Sequence, residues 1–132
     1  MLVAEDVRRR VRARLDEQRV LVRSLLQQRE LLQGSVFTRY GQCGKDTCAC
    51  RQGRKHGPYY VLSTRSGGRG AFSYLEGQRL REARALVERY RSFRKGMRRL
   101  KRLNLELVGL LRRYQDVVTR KGGRRLGIGP QP

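Results

Sequence analysis

The sequence lacks several residue types on which common enzymes depend. Its 132 residues include no tryptophan, a single histidine, and 11 acidic residues against 32 lysines and arginines. Only Asp46 and Glu76 carry carboxylates between residues 31 and 81. Hydrolases and nucleases need general bases or a carboxylate cluster that binds two metal ions, and the sequence offers neither. We therefore expect that the protein is not an enzyme.

Long apolar segments are also missing. Arginine interrupts each apolar stretch within a few residues, so none reaches the length of a transmembrane helix. The helical segments lack the tryptophan- and phenylalanine-rich face of an interfacial anchor. The start of the chain, with Glu5, Asp6 and Arg8, does not follow the basic-then-apolar pattern of a signal peptide. We expect no membrane association and a cytoplasmic, nucleoid-associated protein.

Positive charge dominates the composition. A net charge of +21 repels itself unless a polyanion is near, so nucleic acid is the expected partner, DNA more than RNA. A genome rich in G and C explains why arginine outnumbers lysine. It does not explain the shortage of acidic residues.

All the cysteines and the only histidine lie within residues 43–56. Cys43, Cys48, Cys50 and His56 form the pattern Cys-x4-Cys-x-Cys-x5-His. Three thiolates and one imidazole complete a structural Zn²⁺ site and leave no open position for a substrate. The odd count argues against a disulfide framework, and Cys48 and Cys50 are too close for a Cys-x-x-Cys redox motif. A lone reactive thiol and cysteines without a role are the alternatives left open.

The first part of the chain has a helical pattern. Val3, Val7, Val11 and Leu15 recur in four-residue steps, and the apolar stripe continues to about residue 32. No glycine or proline interrupts it before Gly34, which we interpret as the C-terminal stop of the helix.

The middle of the chain has a strand pattern. Residues 35–40, 59–64 and 71–75 are rich in aromatic and β-branched residues suited to a half-buried pleat, and the glycine-rich residues 65–70 suit a hairpin loop. The sequence therefore predicts a three-stranded antiparallel sheet, with the metal site bridging its first two strands.

Residues 78–119 carry a 3.5-residue repeat, which predicts a coiled coil. Its members are Ala83, Leu86, Tyr90, Phe93, Met97, Leu100, Asn104, Leu107, Leu111, Tyr114 and Val118. Asn104 is either a buried residue that fixes the register or a residue facing water. Residues 103–111 are apolar nearly all round, which predicts burial by the first helix and by a second chain in a homodimer.

Together these segments predict an α+β fold. The expected architecture is a long antiparallel helical hairpin, in the form of a coiled coil, with a small zinc-stabilised three-stranded β-module between the helices. Its divisions are an N-terminal amphipathic helix (1–33), a zinc-knuckle β-module (34–76), a coiled-coil helix (77–119) and a disordered basic tail (120–132).

The basic residues suggest where nucleic acid would bind. The candidates are Arg51, Arg54, Lys55, Arg65, Arg69, Arg91, Arg94, Lys95, Arg98, Arg99, Lys101, Arg102, Arg124 and Arg125. Such residues neutralise phosphates and position a protein on nucleic acid without reading its sequence.

Two segments resemble a family of small bacterial proteins with a domain of unknown function. Residues 40–50 contain the core Cys-Gly-Lys-x-x-Cys-x-Cys, and residues 56–60 read His-Gly-Pro-Tyr-Tyr. The similarity extends over about residues 34–111 and includes a Leu-Asn-x-Glu-Leu segment at 103–107. The hairpin sequence Gly-Gly-Arg-Gly at 67–70 departs from the more usual Gly-Lys/Arg-Thr-like turn, which weakens any inference about that loop.

The resemblance implies a setting for the protein. Members of this family are associated with mobile elements, beside transposase or integrase genes. We therefore expect a zinc-stabilised DNA-binding accessory subunit or regulator of a bacterial mobile element, with a transposase or recombinase as protein partner. The alternative is a protein-interaction adaptor, or an RNA-binding subunit, within a larger nucleoprotein complex.

Overall fold

The computed structural model describes residues 3–66 and 69–128. In chain order its elements are α1 (Ala4–Leu26), β1 (Gly34–Gly41), a short 3-10 helix (Ala49–Gln52), β2 (His56–Ser66), β3 (Arg69–Leu75) and α2 (Gly77–Leu126). The fold is therefore α+β, with two helices and a three-stranded antiparallel sheet, as the sequence predicts. Within the described ranges, neither helix is apolar enough over a sufficient length to cross a membrane.

The chain divides into two compact units. The sheet unit is Gln28–Ser92, and the helical unit comprises the described residues among 1–27 and 93–132. The first turns of α2 belong to the sheet unit and the remainder of α2 to the helical unit.

The sheet is a meander with β2 in the centre and the order β1-β2-β3. Gly34, at the start of β1, pairs with Thr64 of β2. A Cβ atom at Gly34 would lie 2.5 Å from the carbonyl oxygen of Ser63. Gly34 is therefore the first residue of a strand, where β2 leaves no room for a side chain, and not the helix stop that we predicted.

One face of the sheet packs against the start of α2. The buried residues of this core are Leu75, Leu80 and Ala83, with partly buried Leu32, Val36, Tyr60 and Leu62 around them. The guanidinium carbon of Arg84 lies 5.0 Å from the centre of the Tyr60 ring, a cation–π contact. The core is small, so the sheet unit buries little apolar surface by itself.

The first helix is shorter than the sequence predicts. α1 ends at Leu26, although no glycine or proline follows before Gly34. Within the sheet unit, the Leu32 N–H donates to the Leu86 carbonyl oxygen at 3.2 Å, and the Leu32 side chain joins the core. Packing of Leu32 in the sheet unit therefore overrides the helical propensity of residues 27–33.

Within the helical unit, α1 and α2 make side-chain contacts in antiparallel order. The contacting pairs are Arg8 with Tyr114, Glu17 with Arg99, Gln18 with Asn104, and Leu25 with Gly96. A Cβ atom at Gly96 would lie 2.6 Å from Cδ2 of Leu25, so this leucine rests directly on the backbone of α2. Whether the two helices supercoil stays a prediction.

The buried stripe of α2 in the helical unit is partly offset from the predicted repeat. Leu100, Leu107 and Tyr114 are at least partly buried as predicted. At the alternate positions, Leu103 is buried and Gly96 and Leu110 are partly buried, whereas the predicted Met97, Asn104 and Leu111 are exposed.

The offset follows from the chemistry of residues 103 and 104. Leu103 is fully buried, whereas Asn104 is exposed and its Oδ1 accepts a hydrogen bond from Gln18 Nε2 at 2.6 Å. Burying leucine avoids the desolvation of an amide. Of the two interpretations of Asn104, the structure therefore favours the one in which its side chain faces water.

The second helix is longer than the sequence predicts. α2 continues to Leu126, so residues 120–126 are helical and not part of a disordered tail. These residues are mostly exposed, and Arg124 and Arg125 lie in the last turn, where cations interact favourably with the helix dipole. Residues 129–132 of the expected tail lie outside the described residues, as do Gly67 and Gly68 of the expected hairpin loop.

Candidate metal centre

The connection between β1 and β2 brings the four predicted ligands together. Cys43 follows β1, Cys48 caps the 3-10 helix, Cys50 lies inside it, and His56 is the first residue of β2. The register of β1 and β2 shifts between Arg39 and Gly41, where Gly41 pairs with His56. The end of the strand ladder therefore places His56 beside the loop that carries the three cysteines.

The ligand atoms are close enough to hold one metal ion. All four lie within 4.8 Å of one another. The sulfurs of Cys43 and Cys50 are 3.5 Å apart, and the sulfur of Cys48 is 3.2 Å from Nε2 of His56. Around a tetrahedral ion with metal–sulfur bonds of ~2.3 Å, two sulfurs are ~3.8 Å apart. The two short contacts lie below this spacing and the 4.8 Å limit lies above it, so modest side-chain movements in both directions would bring the four ligands into a tetrahedral site.

Hydrogen bonds hold the loop in this arrangement. The Cys43 N–H donates to the Cys50 sulfur at 3.4 Å, the Cys48 N–H to the Lys45 carbonyl oxygen at 3.2 Å, and the Gln42 amide nitrogen to the Cys50 carbonyl oxygen at 3.5 Å. Cys50 is only 1 % exposed. Donors directed at a sulfur favour its thiolate, which is the form that binds metal.

The electrostatics of the cluster differ between two of its thiols. The Cys50 backbone N–H, followed by the thiols of Cys43 and Cys50, lowers the pKa of Cys48 to about 6. The Cys43 backbone N–H favours the thiolate of Cys50, but burial and the neighbouring sulfurs together raise the pKa of Cys50. Of these two thiols, Cys48 therefore forms the metal-binding thiolate more readily near neutral pH.

The predicted basic residues of the sheet unit are spread over several elements. Arg51 is paired with Asp46 at 3.3 Å, and Arg91 with Glu88 at 3.8 Å. The remaining four, Arg54, Lys55, Arg65 and Arg69, are exposed. Arg54 and Lys55 precede β2, Arg65 lies near its end, and Arg69 begins β3.

Besides Arg124 and Arg125 in its last turn, α2 exposes five predicted basic residues of the helical unit within residues 94–102. They are Arg94, Lys95, Arg98, Lys101 and Arg102, and we call them the basic face. None of them forms an ion pair with a residue that the structure describes. Because 94, 98 and 102 are spaced by four residues, they share one side of the helix, away from Leu103 and Leu107.

Arg99 differs from the basic face that surrounds it. Its Nε donates to Glu17 of α1 at 3.0 Å, and its Nη1 lies 3.9 Å from Glu106. Glu106 also forms an ion pair with Arg14, whose Nε lies 3.0 Å from its carboxylate. This pairing raises the pKa of Arg99 and lowers the pKa of Glu17, the Arg99–Glu17 hydrogen bond being the main cause in both. Arg99 was expected to reach solvent, but it belongs to the contact between the helices.

The second face of the sheet carries aromatic residues that no sequence pattern marked as a candidate site. Phe37, Tyr59, Phe72 and Tyr74 are exposed there, together with Arg39. We call these five residues the aromatic face. Strand alternation could have grouped them on one side. It could not have shown that α2 covers the opposite side.

The sequence of the chain matches a described family over more than half of its length. Over residues 5–85 the chain matches the family described as a domain of unknown function, DUF6788. The chain belongs to this family. The match includes α1, the sheet and all four ligands, and it ends before the basic face; the resemblance noted from the sequence alone extended over about 34–111. No curated protein and no solved structure matches the chain.

Proposed function

We propose that this DUF6788 protein is a zinc-stabilised DNA-binding protein. It would serve as an accessory subunit or regulator of a bacterial mobile element, in the nucleoid of the cytoplasm. The observation that carries the proposal is the basic face, five exposed cations on one helix segment without an acidic partner among the described residues. The assignment to a mobile element rests on the sequence resemblance alone.

The spacing of the basic face suits a polyanion. Residues 94 to 102 span ~12 Å of helix, and duplex DNA carries one negative charge per ~1.7 Å of its axis. Several phosphates therefore lie within reach of these side chains. An acidic protein surface could pair with the same residues, but a net charge of +21 favours a partner with a continuous negative charge.

Zinc is the ion that we propose for the metal centre. Three thiolates and one imidazole are soft and borderline ligands that disfavour magnesium and calcium, and a closed tetrahedral set is typical of structural zinc. The metal would then hold the β1–β2 connection in place. With four protein ligands it has no position at which to activate water.

Salt dependence of DNA binding tests the proposal. If the basic face contacts about five phosphates, the logarithm of the affinity falls with the logarithm of salt concentration with a slope of about −4.5. Replacing Arg94, Arg98 and Arg102 by glutamine is expected to weaken binding at least about tenfold at ~0.1 M salt and to reduce the slope by about three units. Fluorescence anisotropy with a labelled duplex measures both quantities.

A matched control separates the basic face from overall charge. Arg112, Arg113 and Arg120 are also exposed on α2, and replacing them by glutamine removes the same charge from the same helix. We expect this control to keep most of the affinity. Equal losses in the two triple variants, or no loss in either, would reject the basic face as the DNA-binding surface.

An exposed apolar strip on α2 favours a second candidate function, that of a protein-interaction adaptor. Met97, Leu105, Val108 and Leu111 are each about half exposed or more. A second copy of the chain in a homodimer, or a transposase or recombinase subunit, would cover such a strip. Sedimentation of the purified protein measures whether it is a monomer or a homodimer. A monomer that binds DNA tightly would show that DNA binding does not need the apolar strip.

A further inference from the structure

Four aromatic rings lie in solvent on the face of the sheet opposite the core. Phe37, Tyr59, Phe72 and Tyr74 are 41, 45, 69 and 59 % exposed. Aromatic rings normally contribute buried area to a core, and soluble proteins expose few of them together. A contiguous group of this kind marks an interaction surface.

The rings form one surface across all three strands. Phe37 and Tyr74 flank Val61 in neighbouring strands, and Val61 is only 2 % exposed beneath them. Phe37 and Phe72 meet edge to face at 6.3 Å, as do Tyr59 and Tyr74 at 6.2 Å. With strands ~4.8 Å apart, the surface is about 10 Å wide. Contacts between the rings hold them in place before any ligand binds.

Glu76, directly after β3, lines a cleft with Tyr59 and Tyr74, but the charged side chains within the strands are all basic. None of the three strands contains an aspartate or a glutamate. Arg39 lies opposite Tyr59 in the ladder, and its Nη1 donates to the Tyr74 hydroxyl at 2.8 Å. Arg65 is two residues beyond Ser63, which pairs with Phe72, so Arg65 has a register position on the same side. The combination of exposed rings and arginines is complementary to bases and phosphates.

We propose that the aromatic face binds single-stranded DNA, whose unpaired bases stack on Phe72, Tyr74 and Tyr59 while Arg39 and Arg65 contact its phosphates. Aromatic rings that line a positively charged groove stack on the bases of single-stranded nucleic acid and bind it without reading its sequence. In a duplex the faces of the bases are already stacked, so this surface selects unpaired bases. The inference rests on the proposed DNA-binding function and adds a second surface to it.

A cleft continues the aromatic face toward the metal centre. It has a volume of about 420 Å³, and its walls include Arg39, Gln42, Tyr59 and Tyr74. Sites for small organic groups have volumes of this order. The cleft therefore offers room for one base at the end of the stacked run, with the Arg39 guanidinium beside it.

A single fluorophore can report stacking directly. The chain contains no tryptophan, so the substitution Phe72→Trp introduces one indole whose emission comes from the aromatic face alone. We expect an oligothymidylate of about ten nucleotides to quench this emission on binding. A duplex of equal length, bound to the same occupancy through the basic face, is expected to leave the emission unchanged.

Substitutions measure the contribution of the rings. Phe72→Ala combined with Tyr74→Ala is expected to weaken oligothymidylate binding by about tenfold or more, since each stacked base contributes substantially to affinity. Tyr74→Phe keeps the ring and is expected to keep the affinity. Val20→Ala removes an equally exposed apolar side chain from α1, outside both proposed surfaces, and is the control. Metal content and circular dichroism verify that each variant is folded.

The outcomes separate this inference from the proposed function. Selective loss of single-strand binding in the alanine pair, with duplex binding intact, supports the inference. If single-strand binding stays within twofold of wild type while duplex binding is normal, the inference is overturned and the proposed function stands. A wild-type protein that binds neither form overturns both. A tenfold preference of the wild-type protein for RNA of the same sequence also overturns the inference. So does an alanine pair that loses self-association but keeps its binding of single-stranded DNA.

Discussion

Each of the two units of this protein is stabilised internally in a different way. The sheet unit has a core cluster of three buried side chains, two further buried valines, and a connection in which four side chains able to hold a metal ion converge. The helical unit buries Val7, Leu103 and Leu107 and joins its helices through hydrogen bonds and ion pairs at partly exposed sites. The first arrangement concentrates its stabilisation in one place. The second distributes it over many weak contacts.

This difference predicts different responses to damage. A ligand set is cooperative, because the loss of one ligand removes most of the metal-binding free energy. Ion pairs at partly exposed sites contribute little individually, so the loss of one is tolerated. The sheet unit is therefore expected to unfold when a single ligand is lost. The helical unit is expected to lose stability gradually as its contacts are removed one at a time.

The largest effect is expected from loss of a metal ligand. Cys50→Ser is expected to abolish stoichiometric zinc binding and to unfold the sheet unit, because structural zinc contributes about 10 kcal/mol or more in small domains and the apolar core here is small. Amide NMR signals of residues 28–76 are expected to lose their dispersion. Elemental analysis measures the metal.

The neighbouring residue supplies the control for this variant. Ala49→Ser makes a change of similar size in the same 3-10 helix, at an exposed position, and is expected to retain zinc and fold. A chelator added to wild-type protein is expected to reproduce the Cys50→Ser spectrum. Dispersed sheet signals in metal-free protein would show that the sheet unit is held by its core and not by its ligands.

An intermediate effect is expected where Leu25 of α1 lies against Gly96 of α2. Gly96→Leu places a side chain against Leu25 and is expected to lower the free energy of unfolding of the helical unit by about 1–3 kcal/mol, the usual range for overpacking. Gly109→Leu, on the same helix with no neighbour within 4 Å, is expected to raise it by up to about 1 kcal/mol. Urea denaturation followed by circular dichroism compares them. Equal shifts would mean that α1 does not rest on Gly96.

The smallest effect is expected at the ion pairs of the helical unit. The pKa of Glu17 is lowered mainly by its hydrogen bond with Arg99. Its stabilising contribution is therefore present above the ordinary glutamate pKa and lost as the pH falls through the lowered value. Glu17→Gln is expected to melt slightly below wild type at neutral pH and to match it in strong acid. A difference that persists in acid would assign the effect to packing instead.

Much of the sheet unit could be predicted from the sequence because its determinants are local. The four ligands were grouped by spacing alone, and the three strands by their alternation between turn residues. The end of α1 could not be predicted, since residues 27–33 are good helix formers. Leu32 leaves the helix because of a core whose other members lie 4 to 51 residues away in the chain.

The candidate surfaces were less predictable than the ligands. A repeat that includes Met97 and Asn104 is as regular as the stripe that includes Gly96 and Leu103, and only the approach of Leu25 and the polarity of Asn104 distinguish them. The pairing of Arg99 depends on Glu17, which is 82 positions away. Sequence patterns describe one helix at a time, so they cannot identify which cation finds an acidic partner.

The local closure of the metal centre also sets an order for folding during synthesis. All four ligands are present once residue 56 has left the ribosome, and each strand of the sheet pairs with its neighbour in sequence. Short loops close early and at low entropic cost. By contrast, Arg8 contacts Tyr114 across 106 positions, so α1 cannot make this contact until long after the ligand loop has been synthesised. A nascent chain is therefore expected to capture its metal well before its helices meet.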